Sequence, residues 1–308
     1  MTSVCFGQLV VGAPGVGKSA YCAGMSAMLT ALKRPHVVVN LDPGNEAVPY
    51  ECGVDVRELI HVDDAMRAHA LGPNGALLFC VEFLERNLEW LFAQLQPHLA
   101  RHAYVLLDCP GQVELYTVHD SMRRITAALG RRGLRLCSVH LVDSVQCKLG
   151  AAFVAATLLA LSTTLQLELP HVNVLSKIDL LPQYGELDFN LEFYTDVLDL
   201  RRLHAFDSND RLRRLNAALA ELIEDFSLVS FQPLDIADKE SVLKLLRVCD
   251  KAIGFFASGA DGANAANLAY AVASDGPEFA YERALGVYDD KAMAGLWGDN
   301  DDDDDDQR

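Results

Sequence analysis

The stretch that decides the fold is FGQLVVGAPGVGKSA, residues 6–20. It runs from a short apolar, β-rich segment into GAPGVGKS (12–19), which matches G-x-x-x-x-G-K-[ST], and then into a helical pattern spanning Ala20 to Leu32. A strand before and a helix after give this match its weight. Gly12, Gly15 and Gly17 let the backbone close around a phosphate chain. The amides through Val16 and on to Ala20 then point inward at a helix N-terminus. Lys18 is set to reach β- and γ-phosphates, and the Ser19 hydroxyl to ligate Mg²⁺.

Working outward, further β-rich runs are HVVVNL (36–41), AYVLLD (103–108), LCSVHLVD (136–143), HVNVLS (171–176) and SLVSFQPL (227–234). Most are continuously apolar, the pattern of strands buried on both faces of a parallel sheet. Helical spacing fills the gaps. Leu84, Leu88, Leu91 and Leu95 form one stripe. Leu212, Leu215, Leu219, Leu222, Ile223 and Phe226 form another, after a cap within Ser208 to Asp210. The expected fold is therefore α/β: a P-loop NTPase with a mostly parallel, doubly wound sheet and helices on both faces, its ligand at the carboxyl ends of the strands.

Two more motifs refine the ligand. YVLLDCPGQ (104–112) ends a strand in Asp108 and reaches Gly111, the D-x-x-G arrangement. Asp108 would hold Mg²⁺ through a water, and the Gly111 amide would sense a γ-phosphate. SKID (176–179) follows another strand and matches the [N/S/T]-K-x-D pattern of guanine-binding proteins. Asp179 would accept from guanine N1–H and the 2-amino group, donors that adenine lacks, and the Lys177 stem would cover the base. On its own, Asp179 reads equally as a helix cap. A loop after the sixth run, PLDI (233–236), offers backbone amides to guanine O6 near Leu234. Gln112 follows Gly111, in a position to orient water, and Glu114 is either a second candidate or a solvated helix-start carboxylate.

Composition bounds the rest. The chain has 308 residues, 51 % apolar and 22 % charged, with a formal charge of −17. That is enough to bury a large core and gives no basic footprint for nucleic acid. Asp289 to Arg308 carries nine Asp against one Lys and one Arg, ending in DNDDDDDD (299–306). The expected organisation is one domain over 1–256 and a weakly ordered segment over 257–308 with an acidic, solvated tail. Eight cysteines without C-x-x-C spacing suggest reduced, buried thiols, and the nine scattered His show no zinc spacing. The longest apolar run, Ala151 to Leu161, is 11 residues with Thr157 its one polar member, and no membrane span or secretory signal is expected.

With LGPNG (71–75), NLDPGNE (40–46), PYECGVDV (49–56), DCPGQVEL (108–115), ELPHVNVLSKIDLL (168–181) and YTDVLDL (194–200), the chain resembles the GPN-loop GTPases over roughly residues 3–256. The resemblance implies a GTPase that takes GTP/GDP and Mg²⁺ and belongs with the nitrogenase-iron-protein and MinD-like NTPases. It implies a homodimer, or a heterodimer with another GPN-loop GTPase. It implies RNA polymerase subunits or assembly factors as partners, a role in assembly and nuclear import of RNA polymerase, and a cytoplasmic location with shuttling to the nucleus. No direct nucleic-acid or membrane partner is implied. By position, Asp42 would assist the attacking water or the metal shell. Gly72-Pro73-Asn74, a plain β-turn on composition alone, would reach across the dimer toward the partner's phosphates. Ala13 stands where MinD-like P-loops carry a second Lys, so Asn74 would share charge stabilisation with the metal and Lys18, and turnover would be slow. A nucleotide-locked dimerisation scaffold with negligible turnover, or a P-loop kinase, are the competing readings.

Overall fold

The computed structural model describes residues 4–255, apart from 186, 198, 199, 207–209 and 227. The acidic tail, the 257–308 segment and the Ser208–Asn209 part of the expected cap lie outside the described residues.

Seven strands form one parallel sheet: β1 (Cys5–Gly12), β2 (His36–Asn40), β3 (Cys52–Asp55), β4 (Tyr104–Asp108), β5 (Leu134–Asp143), β6 (His171–Ser176) and β7 (Phe231–Pro233), in the order β3-β2-β4-β1-β5-β6-β7. The helices are α1 (Lys18–Ala31), α2 (Val62–His69), α3 (Pro73–Arg86), α4 (Leu88–Leu99), α5 (Glu114–Thr117), α6 (Ser121–Arg131), α7 (Gly150–Leu167), α8 (Leu181–Tyr184), α9 (Leu191–Asp196), α10 (Asp210–Phe226) and α11 (Lys239–Ile253). The doubly wound parallel architecture expected from the sequence is what forms.

Alternation along the strands explains the two-sided core. On β1, Phe6 and Val10 face one layer, where Met25 and Leu29 of α1 and Val242 and Leu246 of α11 pack. Cys5, Leu9 and Val11 face the other, against Val81 and Leu84 of α3, Leu91 and Leu95 of α4, and Ile125 and Leu129 of α6. Toward β6 and β7 that second layer continues with Phe153 and Leu161 of α7 and Ile223 of α10. Trp90 packs against the second layer.

Four sequence expectations are corrected. The edge strand β3 was not foreseen: Cys-Gly-Val-Asp buries only Val54 fully, and its register with β2 slips between Val38 and Val39. The expected strand over 227–234 shortens to three residues ending at Pro233, which has no amide to donate to the ladder. The Leu84–Leu95 stripe is two helices, broken where the Asn87 side-chain amide donates to the Phe83 carbonyl at 2.8 Å. Finally, Gly72-Pro73-Asn74 is not a β-turn but the start of α3, with Pro73 in the first turn and the Ala76 amide donating to the Gly72 carbonyl at 2.9 Å.

The α7 helix runs past the Ala151–Leu161 stretch to 18 residues of mean hydropathy 1.6. By length and composition it is the one helix among the described residues that could cross a bilayer. Phe153, Val154, Ala160 and Leu161 on it are buried in the core beside β5 and β6.

Candidate nucleotide site

The Gly-rich loop leaves the carboxyl end of β1, the central strand. Its conformation needs glycine. Gly17 precedes α1 at φ 94°. Gly12 sits at φ 143°, and a Cβ there would lie 2.5 Å from the Leu141 carbonyl oxygen. The loop curls over Lys18, whose Nζ donates to the carbonyls of Gly12 at 3.1 Å and Ala13 at 3.2 Å. Burial lowers the Lys18 pKa, while the Asp108 and Asp42 carboxylates act to raise it.

Those two carboxylates end the neighbouring strands. Asp108, the last residue of β4, is fully buried and accepts from the Tyr50 hydroxyl at 2.8 Å. Burial raises its pKa; hydrogen bonds from Ser19 and Tyr50 and the charge of Lys18 oppose that rise. Asp42, two residues past β2, is held by its own amide on Asn40 Oδ1 at 3.1 Å and accepts from the Gly44 amide at 2.9 Å. Burial raises its pKa too, against the Gly44 bond and Lys18. Gly111 must be small: a Cβ there would stand 3.0 Å from Lys18 Nζ and 3.1 Å from Pro14 Cα.

Around these groups opens a cleft of about 980 Å³, lined among others by Gly15, Lys18, Ser19, Asp42, Asn74 and Gln112. Ala20 borders it as well. Asn74 therefore faces the cleft of its own chain, through the first turn of α3. The Gln112 Oε1 atom is buried without a hydrogen-bond partner among the described residues. Glu114 begins α5 on the exposed surface and is not among the cleft-lining residues.

Three residues that support these groups were not singled out as site residues in the sequence, two of them lining the cleft. Asn45 donates from Nδ2 to Ser19 Oγ at 3.3 Å. Arg57 holds the Asn45 carbonyl at 2.6 Å and the Glu46 carbonyl at 2.9 Å, and is itself paired with Asp55. Tyr50 holds Asp108. All three come from the segment around the unforeseen β3, so the signal that would have found them is tertiary.

The base motif lies beside the loop. Ser176 Oγ donates to the Val16 carbonyl at 2.9 Å, and Lys177 Nζ to the Gly15 carbonyl at 2.7 Å. Asp179 is exposed in the short 3₁₀ turn Ile178–Leu180. Leu234 departs from expectation. Its amide donates to the Leu175 carbonyl at 2.8 Å, prolonging the β6–β7 ladder, and its side chain is buried. That N–H is committed to the sheet and is not free for guanine O6.

No three His, Cys, Asp or Glu residues cluster with metal spacing among the described residues. Ser19 and Asp42 line the cleft, and Asp108 lies buried beside Ser19 and Lys18, so the side-chain donors available there are oxygens. That set suits a hard divalent cation sharing its shell with phosphate and water, not a closed protein cage. All eight cysteines are free thiols, seven of them buried.

A glycine-rich loop on the central parallel strand, a lysine inside it and two carboxylates at adjacent strand ends define a P-loop nucleotide-binding protein. Comparison with known proteins narrows the class. Residues 10–255 match the family described as "conserved hypothetical ATP binding protein". The chain is 50 % identical to GPN-loop GTPase 2 of Danio rerio over 289 residues, covering 92 % of each chain. It is 51 % identical to GPN-loop GTPase QQT1 of Arabidopsis thaliana over 261 residues, covering 83 % of this chain and 87 % of that one. A GTPase of Pyrococcus abyssi, solved in its apo form, superposes with a TM-score of 0.63 at 24 % identity, covering 80 % of this chain and 97 % of that one, a likeness of fold. The chain belongs to the GPN-loop GTPase family.

Proposed function

We propose that this chain binds guanine nucleotide and hydrolyses the β–γ phosphoanhydride of GTP. The observation that carries the reading is the meeting, at the carboxyl ends of β1, β2, β4 and β6, of Lys18, Asp42, Asp108 and the Ser176-Lys177 pair, the last bonded to the phosphate loop itself. The loop amides and Lys18 hold the β- and γ-phosphates. Magnesium, when bound, neutralises phosphate charge, and Ser19, Asp108 and Asp42 are the oxygens that would hold it. Asp42 positions the water for in-line attack, and Gln112, its Oε1 shielded from solvent, orients it. The Gly111 amide, kept close to Lys18 by the missing side chain, contacts the γ-phosphate. Asn74, facing the same cleft, supplies a neutral donor where charge develops.

The family model's description speaks of ATP, whereas SKID and the names of the relatives speak for guanine. Asp179 supports the guanine reading, because a carboxylate facing N1 and C2 of adenine meets no N–H donor. The protein acts as a dimer, with itself or with a paralogue, and serves the assembly and nuclear import of RNA polymerase from the cytoplasm. This cellular part of the proposal rests on the family resemblance. The catalytic part is tested by single-turnover hydrolysis of bound GTP in Asp42→Ala, with binding measured separately. The proposal predicts retained binding and a loss of about 100-fold or more in rate. Wild-type rates in the variant would remove Asp42 from catalysis, and no phosphate release by the wild type would favour the nucleotide-locked scaffold.

A further inference from the structure

The end of β5 carries two polar residues that no motif marks. Asp143 is its last residue and Ser144 follows. Both grip Lys177, the residue that leads into the base-reading turn. Asp143 Oδ2 accepts from Lys177 Nζ at 2.8 Å, so the ammonium lies between that carboxylate and the Gly15 carbonyl. The fully buried Ser144 donates its hydroxyl to the Lys177 carbonyl at 2.9 Å. Lys177 itself has φ 59° and ψ 37°, a left-handed conformation uncommon for any residue but glycine.

The consequence is geometric. Asp179 is exposed in the turn Ile178–Leu180, and the Lys177 backbone sets where that turn goes. The Lys177 carbonyl also receives the Leu180 amide at 3.0 Å, closing the turn around Asp179. The same carbonyl is therefore the hinge of the turn and the atom that Ser144 fixes. Asp143 is rigid in its own right, because its second oxygen, Oδ1, accepts from the Val145 amide at 3.0 Å. The ladder of β5 with β6 pairs Asp143 with Ser176, so the anchors rest on regular sheet and not on a loop.

We propose that Asp143 and Ser144 are positioning residues that set guanine affinity and base discrimination: Ser144 fixes the turn that aims Asp179, and Asp143 ties Lys177 to the phosphate loop. Neither touches the nucleotide. The proposal rests on the guanine reading given above. Binding energy for the base is then available without first ordering the turn, which is what preorganisation contributes to affinity. Because Lys177 also holds the Gly15 carbonyl, Asp143 links base recognition to the shape of the loop that takes the phosphates.

The test uses the full chain as wild type, Asp143→Asn and Ser144→Ala. The asparagine keeps an oxygen for the Val145 amide while removing the charge that faces Lys177. Dissociation constants are measured for GTP, ATP and ITP, which lacks the 2-amino group, together with the GDP off-rate and the melting temperature without nucleotide. Asp143→Asn is expected to weaken GTP binding about 10-fold, mostly through a faster off-rate, equivalent to about 1.4 kcal/mol. Ser144→Ala is expected to lower the GTP-to-ITP preference at least three-fold, an effect that a general loss of stability would not select. In steady-state hydrolysis the change should fall on KM more than on kcat. Both variants retaining wild-type affinity, off-rate and GTP-to-ITP ratio would overturn the proposal and leave the guanine reading standing. A wild type that prefers neither GTP to ATP nor GTP to ITP would overturn both.

Discussion

Two histidines beneath α7 should make the fold acid-sensitive in a measurable way. His140 of β5 and His171 of β6 meet edge-on, ring centroids 5.8 Å apart. Register pairs His140 with Asn173 and His171 with Ser138, so four polar side chains form a square on adjacent strands. Among the described residues, His140 Nδ1 and both ring nitrogens of His171 are shielded from solvent and make no hydrogen bond of good geometry. Burial pushes the His140 pKa down to about 4, with Lys18's charge adding to the fall and Asn173 opposing it. Burial and the neighbouring His140 push His171 down to about 3, again against Asn173. An unfolded histidine takes its proton near pH 6.5, so between that value and the native pKa acid favours the unfolded chain. Stability present at pH 7.5 is lost as the pH falls through 6.5. At pH 5.5 each histidine accounts for about 1.3 kcal/mol, and the pair for about 2.5 kcal/mol. The buried carboxylates Asp42, Asp108 and Asp250, whose pKa values burial raises, act in the opposite direction. Comparison with the double variant His140→Gln/His171→Gln cancels them, since they are common to both chains. Urea unfolding at pH 7.5 and 5.5 should show the wild type losing about 2.5 kcal/mol more than the variant between the two pH values. Equal losses in the two chains would refute the reasoning.

Two further predictions follow from single contacts. Gly111→Ala would press a methyl group against Lys18 Nζ, 3.0 Å away, and Pro14 Cα, 3.1 Å away; GTP turnover should fall about 10- to 100-fold, and single-turnover assays alongside melting curves would separate this from unfolding. Arg34 pairs with the fully buried Asp250 at 2.8 Å and lies 4.1 Å from the Tyr104 ring centroid and 3.8 Å from that of Phe255. Arg34→Ala should cost about 3 kcal/mol, because Asp250 keeps its burial and loses its cation; denaturant unfolding reads this, and a cost below about 1 kcal/mol would contradict it.

Much of this architecture was legible because its signals are local. A strand buried on both faces is apolar along most of its length, so the runs FGQLVV (6–11), AYVLLD (103–108) and HVNVLS (171–176) were readable, and the chemistry sits where they end. Contacts that arise only on folding were not. Asn45 and Arg57 reach the cleft, and Tyr50 reaches Asp108, from a segment whose edge strand has one fully buried residue, too little for a periodic signal. Leu234 sat in a plausible loop, but its amide had already been taken by the Leu175 carbonyl. The Leu84–Leu95 stripe keeps its spacing through Asn87, so periodicity alone could not reveal the break. At Gly72-Pro73-Asn74 composition alone cannot separate a β-turn from a helix start, because proline suits the start of either.

The most direct measurement is competitive equilibrium binding of GTP, ATP and XTP to the wild type and to Asp179→Asn. The account predicts that the wild type takes GTP and discriminates against the other two by about 10⁴, and that the variant loses GTP and gains XTP, whose 2-oxo group suits an amide donor. A wild type that binds ATP as tightly as GTP, or a variant whose preference is unchanged, would contradict it.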